Sequence, residues 1–264
     1  RFAAARETIN QLSSVIDFVM LPGDYIHNYP TVEMGFEQPE DLDFYMTTRT
    51  RIDNAIELTE AFEMPVFVGY GNHDYDVKRI SRAFTEELFM QKMALPRYYS
   101  VEHRGFKFIH LNNFRGATQD PSTDVFDPFF GSLGETQLQW LEAQLQEGKP
   151  TVLFVHYMLP IMATGEVADL DLAVLVDRYQ DNIAHVISGH THTWLDFKRE
   201  FGAPHQVLAA TRFDPDAFAI VEVDTVAGTQ QFLNRDLWAN LGYEAEPIDA
   251  QTLLAEIKSR RKAG

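Results

Sequence analysis

Four short polar turns carry the residue types from which a metal centre can be built. They are Pro22-Gly23-Asp24, Gly71-Asn72-His73-Asp74, His156, and Ser188-Gly189-His190-Thr191-His192. Carboxylate, amide oxygen and neutral imidazole all offer lone pairs without a competing proton, which is what a divalent cation requires of its ligands. A lone histidine would mean little, but four of the nine histidines fall in these turns. At about one in twenty per position, Gly-Asn-His-Asp arises by chance on the order of once in several hundred chains of this length. Gly-His-x-His is less specific, about one chain in thirty on the same arithmetic. Each residue also has a plain structural reading: Asp24 and Asn72 could shape turns, and His156 alone could be a hydrogen-bonded core residue. The joint pattern favours the metal site.

Each turn follows an apolar run of strand length: Phe18-Val19-Met20-Leu21, then 66–70, 152–155 and 183–187. Near-continuous apolar runs fit strands buried on both faces. Helical spacing precedes each: Ile9, Leu12 and Ile16, then Ile52, Ile56 and Phe62, then Leu138, Leu141 and Leu145, then Leu172, Leu175 and Val176. Strand and helix in alternation predict a sheet covered by helices, with its site at the carboxyl ends of the strands. Segments 98–101 and 106–111 flank His103-Arg104-Gly105 and predict a hairpin. After His192 the texture alternates, at 194–198, 206–210, 218–223 and 231–233, which predicts a second, more antiparallel sheet packed on the first. A final helix is expected at 250–258. Two long turn-rich segments, 28–43 and 114–134, are candidate lids. No linker or internal repeat divides the chain, so residues 1–264 are expected to form one domain.

The 264 residues carry a formal net charge of -17, 39 acidic against 22 basic, with 45% hydrophobic residues. A field of that sign disfavours DNA, RNA and anionic membranes as partners, while bound cations would still admit a small phosphate locally. There are no cysteines, so disulfides, thiolate metal sites and cysteine nucleophiles are excluded. No apolar run reaches the length of a membrane span. The expectation is a soluble protein; a cysteine-free chain suits cytoplasm and periplasm alike, with the cytoplasm slightly favoured.

At these turns the chain resembles the calcineurin-like metallophosphoesterase superfamily, whose pattern is Asp-x-His, Gly-Asp, Gly-Asn-His-Asp/Glu, a strand-end His, then Gly-His-x-His. Gly23-Asp24, Gly71-Asn72-His73-Asp74, His156 and Gly189-His190-Thr191-His192 match it, and Tyr98-Tyr99-Ser100 and Gln137-Leu138-Gln139-Trp140-Leu141 look like family framework. The resemblance implies an α/β fold, a four-layer α/β/β/α sandwich of two mixed sheets flanked by helices. It implies two divalent or trivalent metal ions, manganese, iron or zinc. Asp24 would bridge them, Asn72, His156 and His190 would complete one site, and His192 would join the other. His73 would face the phosphate and Asp74 would orient the His73 ring. The implied activity is hydrolysis of small phosphate esters, a diester slightly favoured over a monoester. A non-catalytic interaction scaffold on the same fold is the alternative.

One element of that pattern is missing. No Asp-x-His precedes Gly23-Asp24, and the chain opens Arg1-Phe2-Ala3-Ala4 rather than with methionine. The expectation is that the motif and its strand lie upstream of Arg1, the alternative being loss. Of the other histidines, His27 is read as a loop residue within reach of a metal and His110 and His185 as structural. His103 and His205 have no evident partner. Arg115 could meet a substrate phosphate or a surface carboxylate, and Tyr25, Tyr157 and Phe129-Phe130 could line a pocket or only pack.

Overall fold

Helix α1 (Phe2–Asn10) leads into strand β1 (Val19–Leu21) in the computed structural model, which describes residues 1–26, 39–75, 80–120, 123, 125–127 and 129–234. The expected helix at 250–258, His27 and most of the 28–43 segment lie outside the described residues. Helices α2 (Leu42–Thr47) and α3 (Arg51–Glu60) precede β2 (Val66–Val68). The Asp53 carboxylate accepts the Thr50 N–H at the start of α3, satisfying a donor that the helix itself leaves open. A single turn, α4 (Asn72–Tyr75), follows β2, and α5 (Arg82–Lys92) is capped by Ser81, which accepts the Phe84 N–H.

Strands β3 (Tyr99–His103) and β4 (Phe106–Leu111) form the expected hairpin. Arg104 and Gly105, with φ of 48° and 86°, both turn left-handed, the backbone that a two-residue hairpin loop demands. Helix α6 (Glu135–Gln146) buries Leu138, Leu141 and Leu145 and leads into β5 (Thr151–Val155), buried throughout as its unbroken apolar run requires. After a 3-10 turn at Leu159–Ile161, α7 (Leu172–Arg178) is capped by Asp171, and β6 (Ile183–Ser188) follows. Strands β7 (Leu195–Phe201), β8 (Ala203–Val207), β9 (Val221–Asp224) and β10 (Thr229–Phe232) complete the described chain.

The main sheet is mixed and six-stranded, in the order β3-β4-β5-β6-β8-β7. Its outer face packs on α6 and α7 through Ile109, Leu153, Val155 and Val186. Its inner face, Phe106, Phe108, Val152, Phe154 and Ile187, packs with Phe18, Met20, Val221, Val223 and Phe232. That second β layer consists of two ladders, β1 parallel to β2 and β9 antiparallel to β10. Leu21, Val66 and Val68 on its far side share a cluster with Ile52 and Ile56 of α3, giving the helix, sheet, sheet, helix layering.

Two details depart from the sequence expectation. The four ligand-bearing strands do not share one sheet: β1 and β2 pair in one layer, β5 and β6 in the other. Strands β7 and β8, expected in the second sheet, extend the main one, because β8 pairs parallel with β6 from Val186↔His205 to Ser188↔Val207. Alternating polarity marks a half-buried strand but does not select its partner. Among the described residues no helix is long and apolar enough to cross a membrane.

Candidate metal centre

The first two polar turns are locked together by Asp74. Its carboxylate, fully buried, accepts the main-chain N–H groups of Asp24 (2.8 Å), Tyr25 (2.9 Å), Ile26 (3.3 Å) and Gly71 (2.8 Å). Four N–H donors use the four acceptor positions of a carboxylate. Burial, then the neighbouring Asp24 carboxylate, push the Asp74 carboxyl up, and the N–H donors pull it back toward the ionised form. The two turns approach so closely that a Cβ on Gly23, whose φ is 118°, would overlap the main chain of Tyr70 and Gly71. Tyr25 braces the same junction, its hydroxyl donating to the Leu21 carbonyl and accepting the Gly69 N–H.

Four metal-type donor atoms converge at the joined strand ends. His156 Nδ1 lies 3.1 Å from the Pro22 carbonyl, which can only accept, so this nitrogen carries the ring proton. Burial holds the ring neutral by pushing its pKa down, so Nε2 is left with a bare lone pair. That nitrogen faces Asn72 Oδ1 at 3.0 Å and Asp24 Oδ2 at 3.4 Å. His190 Nδ1 meets the same Asn72 oxygen at 3.0 Å. Burial, with the His156 imidazole beside it, pushes His190 down to about 3.

Between His156 and Asn72 lone pair thus meets lone pair, which is unfavourable unless a cation lies between. Donors at adjacent vertices round a cation bonded at about 2.1 Å stand about 3.0–3.4 Å apart. Counting only His, Asp and Glu, no group of three closes on one point among the described residues; the Asn72 amide is what joins the two imidazoles. The donor set is oxygen and nitrogen, without sulfur, and suits manganese, iron or zinc.

Asp24, His190 and His192 adopt φ of 66°, 71° and 60°, a left-handed backbone that non-glycine residues rarely take. Such strain is held only where the surroundings over-determine it. Asp24 is fixed further because its Oδ1 accepts the His73 N–H at 3.1 Å. The His73 ring lies near His156, His190 and His192, whose pKa values are lowered chiefly by burial. His192 stands beside the set rather than in it: partly exposed, it has its pKa lowered by burial while the Asp24 carboxylate opposes the shift, and its ring lies 5.1 Å from that of Phe213. The structure thus joins Asp24, Asn72, His156 and His190 directly, brings in His73 by its main chain, and leaves His192 adjacent.

Other aromatic and basic candidates serve as supports. Tyr157 is buried and backs His190 at 4.3 Å between rings. Arg115 reaches both oxygens of the buried Glu86 at 3.0 Å, so its contact is a carboxylate of the fold. His205 bonds the Ser188 hydroxyl at 2.9 Å and stacks on Phe197, and His103 meets Asp17. Segment 114–134 is fastened by the bridges Phe114↔Ser132 and Gly131↔Met162.

Sequence reasoning passed over Asn113, which is buried and whose side-chain oxygen accepts the N–H groups of His156 (3.1 Å) and Tyr157 (3.3 Å). The signal was present, since Asn112-Asn113 ends the apolar run of β4 as the ligand turns end theirs.

Comparison with known proteins places this geometry in context. A family model described as calcineurin-like phosphoesterase matches residues 1–194. No curated protein matches the chain in sequence. Among solved structures, it is similar to a dimetal phosphatase from Danio rerio at 16% identity and a TM-score of 0.54, over 79% of this chain and 77% of that one. It is also similar to a hypothetical protein from Pyrococcus horikoshii at 12% identity and a TM-score of 0.39, over 98% of this chain and 89% of that one.

Proposed function

The chain belongs to the calcineurin-like phosphoesterase family, metal-dependent enzymes that hydrolyse phosphate esters, and on that premise we propose the division of labour at its site. Asp24, Asn72, His156 and His190 would hold one cation, and Asp24 and His192 would contribute to a second. Bound cations of this kind offset the charge of phosphoryl oxygens and make water a better nucleophile. The observation that carries the reading is the contact of His156 Nε2 and His190 Nδ1 with one Asn72 oxygen, both at 3.0 Å, with no proton between His156 and Asn72 to bond them.

His73 is the catalytic residue. Its main chain is tied to Asp24, which sets its ring at the rim of the donor set, where it can protonate the leaving oxygen or hydrogen-bond a phosphoryl oxygen. Asp74 positions His73 through the backbone, by clamping Gly71 and Asp24 on either side of it. The substrate is a small phosphate ester, and a diester is favoured. A chain of net charge -17 opposes a doubly charged monoester more strongly than a singly charged diester.

The test is elemental analysis of the purified protein with initial rates on bis(4-nitrophenyl) phosphate and 4-nitrophenyl phosphate. Bound transition metal and a higher kcat/KM for the diester are expected. A faster monoester overturns the diester preference, and metal without turnover on either ester makes the site a binding scaffold.

A further inference from the structure

Beside His192 stands a pair of side chains that the metal site does not use. Strand β8 runs parallel to β6, so the chain leaving β8 emerges at the same sheet edge as His190 and His192, and the Leu208 N–H bonds the Ser188 carbonyl at 2.8 Å. The next residues fold into a turn in which the Phe213 N–H bonds the Ala210 carbonyl at 3.0 Å. One guanidinium nitrogen of Arg1 donates to the carbonyls of Arg212 (3.0 Å) and Phe213 (2.6 Å), so the turn's main chain is held in place. Its side chains face outward. Phe213 is 52% exposed with its ring against His192, and the Arg212 guanidinium carbon lies 5.5 Å from the centre of the Phe213 ring.

Neither side chain is explained by the fold. Phe213 is one of few large apolar side chains left so open. Arg212 is exposed and, among the described residues, pairs with no carboxylate, in a chain where acidic residues outnumber basic ones 39 to 22. A guanidinium laid toward an aromatic ring keeps its in-plane N–H fork open, and that fork matches two oxygens of a phosphate. An exposed ring beside a phosphate site offers a face for stacking.

We propose that Arg212 and Phe213 select the substrate of the metal site: the guanidinium takes an anionic phosphoryl oxygen, and the phenyl ring stacks on an aromatic group carried by the esterified alcohol. The preferred class is therefore phosphate esters of alcohols bearing an aromatic or heteroaromatic ring. This rests on the phosphoesterase reading of the site, and the two fail separately in the following experiment.

Binding of phenylphosphonate and methylphosphonate is measured by titration calorimetry on the metal-loaded protein and on Arg212→Ala, Arg212→Lys, Phe213→Ala and Phe213→Leu. Phe213→Ala is expected to weaken phenylphosphonate by roughly 5- to 10-fold and methylphosphonate by less than about twofold, the span of one stacking contact. Arg212→Ala should weaken both by about tenfold, and Arg212→Lys should restore part of the loss because the charge returns without the fork. Metal content should match the wild type in all four. Equal weakening of the two phosphonates by Phe213→Ala, no loss in Arg212→Ala, or a wild type that does not prefer phenylphosphonate overturns the proposal. Hydrolysis of bis(4-nitrophenyl) phosphate by the wild type is followed in parallel. Its absence, together with no turnover of 4-nitrophenyl phosphate, would overturn the enzymatic reading, while the phosphonate preference still decides the role of Arg212 and Phe213.

Discussion

His73 and His156 sit in neighbouring turns and are expected to fail in different ways. His156 Nε2 is one of the converging donors, and its other nitrogen is held by the Pro22 carbonyl. His156→Ala removes a ligand and its fixed tautomer together, so elemental analysis should show metal lost along with turnover. Retention of wild-type metal stoichiometry would remove His156 from the ligand set. His73 donates its main-chain N–H to Asp24, and its ring is the one proposed to act on the substrate. His73→Ala should leave metal content near wild type while kcat drops by roughly 10²–10⁴, the range for loss of a general acid. Esters with good leaving groups, such as nitrophenyl esters, should suffer less. An equal drop for alkyl and nitrophenyl esters would mean that His73 stabilises phosphoryl charge instead of donating a proton.

At the scale of elements, the site depends on two strand ends touching. Strands β1 and β2 pair for only three residues each, and what joins their turns is the Asp74 clamp and the absence of side chains at Gly23 and Gly71. Gly23→Ala puts a methyl group into the main chain of the second turn and forces an alanine to a φ of 118°. The turns must separate, and Asp24 must move away from Asn72. Urea unfolding should show a loss of about 2–4 kcal/mol, more than the usual cost of a surface substitution, with reduced metal binding. A variant as stable as wild type, with full metal content, would show that the turns need not touch.

The whole molecule carries a pH dependence in its buried histidines. His110, between the sheets, and His205, under the edge of the main one, are buried, and burial pushes them from 6.5 down to about 4 and about 3. Both are neutral in the fold, whereas the unfolded chain takes up protons near 6.5. Below that pH the unfolded state binds more protons, so their contribution is complete above 6.5 and is lost as pH falls toward 4 and then 3. The slope is about 1.4 kcal/mol per pH unit for each histidine. His110→Phe should reduce the fall in unfolding free energy between pH 7 and pH 5 by about 2 kcal/mol, measured by urea titration. An unchanged fall would mean that His110 is charged in the fold.

Much of the candidate site was legible in the chain alone because donor-type residues cluster in short turns and each turn must follow the strand that delivers it. Gly71-Asn72-His73-Asp74 and Gly189-His190-Thr191-His192 are local patterns, and the apolar runs before them fit strands. The hairpin of β3 and β4 was legible for the same reason, its turn being two residues long. Which strands pair was not legible. Val186 meets His205 and Val19 meets Val66 across stretches of chain whose composition names no partner, so the division of the ligand strands between two layers was decided by packing. The task of Asp74 was hidden likewise, since its donors at Asp24, Tyr25 and Ile26 lie about fifty residues away. So was the placing of Phe213 against His192, which follows from β8 lying parallel to β6. Residue chemistry is written locally, but the meeting of residues distant in sequence depends on the burial of whole faces, and only the folded chain sets that.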